Sequence, residues 1–314
     1  MTTFRPSKVL VLGATGNIGQ FITESLLDAT PPFEQVAILT SPQTAVIKAE
    51  LLDKWKKKNL RIITGDLKND DEVKIAYQGV DTVISALGRN GLEMQTNLLL
   101  LAEKSDSVQW FFPSEFGTDV EYSPESATEK PNLLKFKVRE YIRQNIKRLK
   151  YTFLVTGPYF ELYATLPSFG RDAGGFDIAA REAVLIDAGN GQVGLTTMRD
   201  VGKALVATLQ HPESCINKVV RVLSFFTTPN EILAEFEKQS GEKWNVSYVS
   251  LSKLKEAEKK AWADGVHYAT LFTVKRIWAE DGAVIYEKLD NESIGIGGQS
   301  DMDTLETAVR RSLS

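Results

Sequence analysis

The sequence predicts an α/β fold: a doubly wound parallel sheet with a smaller α/β lobe attached. Three observations carry this expectation. A glycine-rich turn joins a short apolar strand to a helix near the N-terminus; strand and helix signals alternate through the first half; and that rhythm changes after Gly157. Short apolar strands separated by amphipathic helices are buried on both faces, which calls for parallel pairing through helical crossovers.

Val9-Leu10-Val11-Leu12 is the first strand, apolar throughout as a buried parallel strand should be. Gly13-Ala14-Thr15-Gly16-Asn17-Ile18-Gly19 follows, and Ile18, Phe21, Ile22, Ser25, Leu26 and Ala29 then recur at helical spacing. In a strand–turn–helix of this kind the free N–H groups and the positive dipole end of the helix face a dinucleotide pyrophosphate. Gly13 permits the tight turn, Gly16 lets phosphate approach the backbone, and Gly19 lets helix and strand pack closely. The spacing is G-x-x-G-x-x-G rather than G-x-G-x-x-G. Its plain alternative is an ordinary tight turn; the flanking strand and helix favour the nucleotide. Cofactor contacts are expected from Gly13, Thr15, Gly16, Asn17, Ile18 and Gly19, the pattern of an NAD(P)-binding Rossmann lobe.

Further strands are expected at Val36–Leu39, Leu60–Ile63, Thr82–Leu87, Val108–Phe112 and Tyr151–Val155. Helices are expected near Thr44–Lys57, Asp70–Tyr77, Leu92–Lys104 and Leu133–Ile146. Residues 158–184, rich in Pro, Gly and aromatics, read as a long loop region. A helix runs from Thr197 through Leu209 and a strand over Val219–Leu223. Thr228-Pro229-Asn230-Glu231 has the residues of a capping box. A charged amphipathic helix over 252–263, a glycine-rich loop over Ile294–Gln299 and a last helix over Asp303–Arg311 complete the chain. The expected division is a nucleotide-binding lobe over 1–157 and a substrate-binding lobe over 158–314, with segments near 185–225 returning to the first.

Composition narrows the class. The 314 residues are 43% hydrophobic and 25% charged, as in a folded globular protein. A net charge of −4 does not favour polyanions, so no nucleic-acid partner is expected. The run Lys54-Trp55-Lys56-Lys57-Lys58 reads as a solvated helix end. Cys215 is the only cysteine, so no intramolecular disulfide forms and a reducing compartment is expected. His211 and His267 are the only histidines, and no cluster has metal spacing. No apolar run reaches the length of a membrane span. The first residues, Met1 to Lys8, lead directly into the first strand, so no signal peptide is read and the cytoplasm is expected.

Ligands of such sheets lie beyond the C-terminal ends of the strands. After strand two stands Leu39-Thr40-Ser41-Pro42, with no acid to hold both ribose hydroxyls, which favours NADPH/NADP over NAD. Thr40, Ser41 and Lys48 are candidates for the 2′-phosphate; a capped turn accounts for Ser41-Pro42 equally well. Asp66, before Leu67, suits either the adenine amino group or the cap of the helix near Asp70. Ser85, Ala86 and Leu87 close strand four with residues over which a cofactor can lie. Pro113-Ser114-Glu115-Phe116-Gly117 closes strand five, placing a hydroxyl and a carboxylate near the nicotinamide position. By residue type alone Glu115 is as well read as a structural acceptor as an acid.

None of the nine tyrosines has a lysine four residues on, so a Tyr-x-x-x-Lys proton donor is not expected. The corresponding helix offers Lys135 and Arg139, one turn apart. Leu134, Val138, Tyr141, Ile142 and Leu149 form its apolar stripe, and Lys135 sits at the edge. Burial and a neighbouring cation would both lower the pKa of Lys135 and ease proton transfer. Lys137 and Arg139 are expected to face solvent.

With these segments assembled, the chain resembles the NmrA-like group of atypical short-chain reductases, in particular the isoflavone, pinoresinol–lariciresinol and phenylcoumaran benzylic ether reductases. Four matches carry the resemblance: Val11–Gly19, Val83-Ile84-Ser85-Ala86-Leu87, Phe112-Pro113-Ser114-Glu115-Phe116-Gly117, and Lys135-x-x-Val138-Arg139. The second and third are the more specific, and the resemblance weakens after about Gly157. It implies NADPH, an aromatic phenylpropanoid-like substrate, and Lys135 as the catalytic residue. Ser114, Lys135, Gly157, Pro158 and Phe160 would join the cofactor site, and Glu115, Phe116, Tyr159, Tyr163 and Phe169 would line the substrate. For the aromatics the alternative is core packing.

Two departures stand out. Ser41 takes the place of the family's arginine after strand two, and Pro158 the place of an asparagine two residues before Phe160. The Thr-Gly-Pro form looks like the fungal branch. The expected activity is hydride transfer to an enone, quinone-methide-like or imine carbon, by a monomer or homodimer. The alternative is a non-catalytic NADP-binding redox sensor acting through a protein partner.

Overall fold

Seven parallel strands form the central sheet. In the computed structural model, which describes residues 4–124, 126–167, 170–280, 284–298 and 301–314, these are β1 (Lys8–Leu12), β2 (Gln35–Thr40), β3 (Arg61–Thr64), β4 (Thr82–Ser85), β5 (Trp110–Phe112) and β6 (Lys150–Val155), with a late strand, Lys218–Arg221, beside β6. Phe169 and Gln299, both named above, lie outside the described residues, as do Met1 to Thr3. The spatial order runs from the late strand through β6, β5, β4, β1 and β2 to β3. All neighbours are parallel, so every C-terminal end meets one edge of the sheet.

Helices cover both faces. They are α1 (Asn17–Leu27), α2 (Pro42–Ile47), α3 (Ala49–Lys56), α4 (Asp70–Tyr77), α5 (Gln95–Glu103) and α6 (Leu133–Asn145). The period-two alternation of β1 sorts the core. Val9 and Val11 pack with Ile22 and Leu26 of α1, whereas Leu10 and Leu12 pack with Val73 of α4, Leu98 of α5 and Val138 of α6.

The chain continues through α7 (Phe160–Tyr163), β7 (Gly175–Asp177), β8 (Glu182–Ile186), β9 (Val193–Leu195), α8 (Met198–Gln210) and α9 (Pro212–Cys215). The late strand of the large sheet is β10, followed by β11 (Phe225–Thr227), α10 (Pro229–Ser240), β12 (Asn245–Val249), α11 (Leu251–Ala263), α12 (Ala269–Ala279) and α13 (Leu305–Leu313). Val201 and Leu205 of α8 join the core on the α1 face. A second sheet, ordered β12-β8-β7, and the antiparallel pair β9–β11 lie outside the large sheet. Phe160, Phe176, Phe236, Trp244 and Trp278 form their core.

Several elements differ from expectation. The single helix expected over Thr44–Lys57 is two, α2 and α3, parted at Lys48, whose φ of −106° and ψ of 23° leave the helical region. The helix expected from Leu92 begins at Gln95, after a 3-10 turn over Arg89–Met94. Residues 158–184 are not one loop: they hold α7, β7 and the start of β8. Gly174 and Gly175, both at positive φ, disguise β7, and β8 takes as partner a strand far along the chain, with Glu182 beside Asn245. The Thr228–Glu231 capping box forms as read.

Lys275 on α12 is buried, and its ammonium donates to the carbonyls of Tyr163 (2.7 Å) and Thr165 (3.3 Å). Burial pushes its pKa down to about 7. The unfolded chain, with its ordinary lysine, therefore binds a proton that the folded chain releases between about pH 7 and 10.5. Stability rises with pH through that window on account of this group, and the penalty is full below it. A Lys275→Met variant should be most favoured relative to the native chain below about pH 7. The gap in urea midpoints should shrink as pH rises towards about 10; a gap independent of pH would contradict this reading.

Candidate active site

The glycine turn sits at the C-terminal end of β1. Gly13 has a φ of +77°, and a Cβ there would lie 2.7 Å from the carbonyl oxygen of Ala86 at the end of β4. The Gly16 N–H donates to the Gly13 carbonyl (3.0 Å). Gly19 packs α1 against the turn so closely that a Cβ would fall 2.1 Å from the Gly13 oxygen. No side chain caps α1 at Gly16, and no acid lies in its first turn. Gly16 and Asn17 are exposed, with Thr15 and Ile18 half-buried beside them. The result is a helix N-terminus whose N–H groups lack side-chain caps, the arrangement that accepts a phosphate. A Gly19→Ala change should cost on the order of 3 kcal/mol, since the clash is with backbone. Denaturant midpoint and nucleotide binding should fall together; a variant matching the native chain in both would contradict the packing described.

The other strand ends are more heavily engaged. Thr40 is buried at the end of β2. The Ser41 hydroxyl accepts from the Thr44 N–H (3.1 Å) and caps α2, so the capped turn is present. Lys48 is exposed where α2 ends. Asn69, not Asp66, caps α4, through the N–H groups of Asp71 and Glu72. Asp66 is exposed and accepts from the Lys68 N–H (2.9 Å), with Leu67 packed onto the core. The Ser85 hydroxyl is buried with no hydrogen-bond partner among the described residues. Leu87 accepts from the Ser114 hydroxyl (2.7 Å), which ties the ends of β4 and β5 together.

Lys135, half-buried on α6, donates to the backbone carbonyl of Glu115. Burial lowers its pKa to about 8; the Glu115 carboxylate opposes this, and the charges of Arg89 and Arg139 add to it. Arg139 does not face solvent as expected. It is fully buried and grips both oxygens of the Glu115 carboxylate, at 3.0 and 2.9 Å. Its remaining nitrogen reaches Asp119 (2.9 Å) and Glu121 (2.8 Å). The apolar stripe of α6 leaves an arginine at 139 on the solvent side; three acids from the segment after β5 make its burial tolerable. Lys137 is exposed, as expected.

Glu115 is thus a structural acceptor: it is 2% exposed and both carboxylate oxygens accept from Arg139. Phe116 and Phe160 are core residues, the first packed in the large-sheet core and the second edge-on to Phe225. Tyr159 is half-buried and its hydroxyl donates to the Phe116 carbonyl. Burial raises its pKa well above the ordinary phenol value. Tyr163, also half-buried, stands 5.9 Å from Trp278. The N–H groups of Thr156 and Gly157 donate to the Gly117 carbonyl (3.0 Å each). Gly157 has a φ of +62°, Pro158 is buried, and the Thr156 hydroxyl is buried without a partner among the described residues.

The structure therefore gathers the ends of β4, β5 and β6 around Lys135, with the glycine turn one strand beyond on β1. Arg89, whose charge acts on Lys135, was not singled out from the sequence. Its signal was a cation directly after Gly88 at the end of strand four.

The chain belongs to the NmrA-like family, whose profile matches residues 5–277. Among relatives, it is 31% identical to phenylcoumaran benzylic ether reductase Betv6 of Betula pendula over 258 residues, 79% of each chain. It is 29% identical to eugenol synthase 2 of Clarkia breweri, over 77% of this chain and 78% of that one. In fold it resembles a solved isoflavone reductase (24% identity, TM-score 0.76, covering 98% of this chain and 99% of that one). It likewise resembles AtPrR2 solved with NADP+ and (+)pinoresinol (21% identity, TM-score 0.81, 98% and 99%). Among the described residues no group of side chains could hold a metal ion, and no helix is long and apolar enough to cross a membrane.

Proposed function

We propose that the chain is an NADPH-dependent reductase of an aromatic, phenylpropanoid- or polyketide-like small molecule, with Lys135 as the group that polarises or protonates the substrate. The observation that carries the reading is Lys135 itself: a half-buried ammonium with a lowered pKa, fixed at the C-terminal edge of a parallel sheet that also carries the glycine turn. A donor with a pKa near 8 can give up a proton near neutral pH, where an ordinary lysine holds it.

The residues present fit the cofactor. The uncapped N-terminus of α1, a turn too tight for a Cβ at Gly13 and Gly19, and the partnerless hydroxyls of Ser85 and Thr156 offer a cradle and spare hydrogen-bonding groups. The turn from Gly13 to Gly19 would hold the pyrophosphate. Thr40, Ser41 and Lys48 would face the 2′-phosphate, Asp66 and Leu67 the adenine. Ser85, Ala86, Leu87, Ser114, Gly157 and Pro158 would border the nicotinamide. When bound, NADPH supplies the hydride. Lys135 would donate a hydrogen bond, or its proton, to the substrate oxygen or nitrogen on which negative charge develops. Tyr159 and Tyr163 would offer aromatic surface to the substrate. Two of the named relatives carry ring compounds of this kind in their names, phenylcoumaran and isoflavone.

The test is calorimetric titration with NADPH and NADH, followed by a panel of aromatic enones, quinone methides and benzylic ethers. NADPH should bind at least tenfold more tightly, a difference of about 1.4 kcal/mol, and be oxidised with some panel members. Equal affinities would overturn the cofactor preference. Binding without oxidation of any member would overturn the reductase in favour of a nucleotide sensor.

A further inference from the structure

We infer that Arg139 is a positioning residue for Lys135, acting through Glu115, an inference that rests on Lys135 being the proton-donating group of the site. The two cations lie one turn apart on α6 and close on the same residue from its two ends. Lys135 takes the Glu115 carbonyl, while Arg139 takes both carboxylate oxygens. A two-point arginine–carboxylate grip fixes orientation as well as distance. Here it fixes the peptide whose oxygen holds the Lys135 ammonium. Phe116, next in the chain, has a φ of +22° and accepts from Tyr159, so the backbone at this corner is held on both sides of that peptide.

The grip is anchored beyond α6. Asp119, fully buried, takes Arg139 on one oxygen and two nitrogens of Arg221 on the other (2.9 and 2.7 Å). Its N–H donates to the Tyr286 hydroxyl (3.1 Å). Glu121 takes both Arg139 and Arg143. The guanidinium of Arg139 also lies 4.8 Å from the ring centre of Phe153 on β6. Arg139, Arg143 and Arg221 thus balance Glu115, Asp119 and Glu121 among themselves. The Lys135 ammonium donates to the Glu115 carbonyl, and the Glu115 carboxylate whose charge favours its proton is shared with Arg139. The charges that act on Lys135 are Glu115 after β5, Arg139 on α6 and Arg89 after β4.

Two variants test this. Glu115→Gln keeps the carbonyl that Lys135 uses but removes the negative charge. Arg139→Lys keeps the positive charge but loses the two-point grip. Lys135 is titrated directly by the pH dependence of its modification with an amine reagent, read by peptide mass spectrometry, and independently by the pH profile of kcat/KM. In Glu115→Gln the labelling midpoint should move down by about one pH unit. Arg139→Lys, folded by circular dichroism, should lose at least tenfold in kcat with the KM for NADPH unchanged. An unmoved midpoint in the first, or kcat within twofold of the native value in the second, overturns the inference. If the Gln variant fails to fold, Arg139→Lys carries the test alone, through its loss of kcat at unchanged KM for NADPH. A labelling midpoint that moves while the kcat/KM profile stays fixed supports the grip on Lys135 and counts against Lys135 as the proton donor.

Discussion

Replacing Lys135 by alanine is expected to abolish turnover while leaving NADPH affinity within a few-fold of native. The loss should be at least a hundredfold in kcat, the usual scale for removing a general acid. Lys135 is bonded to the Glu115 carbonyl rather than to the glycine turn, so binding and chemistry separate in this variant. The measurement is steady-state NADPH oxidation beside calorimetric NADPH titration. Turnover close to native in the variant would remove Lys135 from the mechanism.

The second large effect is on stability. Arg139→Met should destabilise the fold by about 3–5 kcal/mol, because it leaves the buried carboxylates of Glu115 and Asp119 without their partner. The accompanying neutralisation Glu115→Gln should restore part of that loss, since an uncompensated charge costs more than a neutral amide of the same shape. Urea unfolding of the three proteins measures it. A single variant within 1 kcal/mol of native stability, a change typical of exposed sites, would mean that the network contributes little. The same network governs acid behaviour. Hydrogen bonds from Arg143 and Arg139 hold the Glu121 carboxyl down at about 2, below its ordinary value. That stabilisation is complete above the ordinary carboxylate range and fades as pH falls towards about 2.

What was legible in the sequence was local. The glycine turn, the first six strands and the helix Asp70–Tyr77 follow from runs and periodicities within a few residues, and all stand where they were read to within three residues at each end. The Thr228 cap is equally local, a matter of residues three apart. What was hidden depends on partners far along the chain. β8 is the central strand of its sheet, with Gly175–Asp177 on one side and the distant Asn245–Val249 on the other, and this second partner is out of reach of local patterns. Arg139 is buried because Glu115, Asp119 and Glu121 converge on it from a segment about twenty residues earlier, beyond the reach of helical periodicity. The same distance explains Glu115, which by residue type alone was open between an acid and a structural acceptor. Its neighbour Ser114 is similar: its hydroxyl donates to the carbonyl of Leu87, a partner at the next strand end.

Lys135 was legible because its position at the margin of the apolar stripe is a property of α6 alone. The sequence could not show that the peptide it touches is held by the arginine one turn further on. That arrangement makes the lysine a fixed element of the strand-end corner rather than a mobile side chain at its rim.

On the proposed function, a hydride passes from bound NADPH to a carbon of an aromatic substrate, with Lys135 polarising or protonating that substrate. NADPH deuterated at the C4 position, incubated with the native chain and the substrate panel, tests it most directly through mass and NMR analysis of the product. The expected result is one deuterium at a single carbon of a reduced product, absent with Lys135→Ala. A chain that binds NADPH yet transfers no deuterium to any member, or transfers it equally well without Lys135, would contradict the claim.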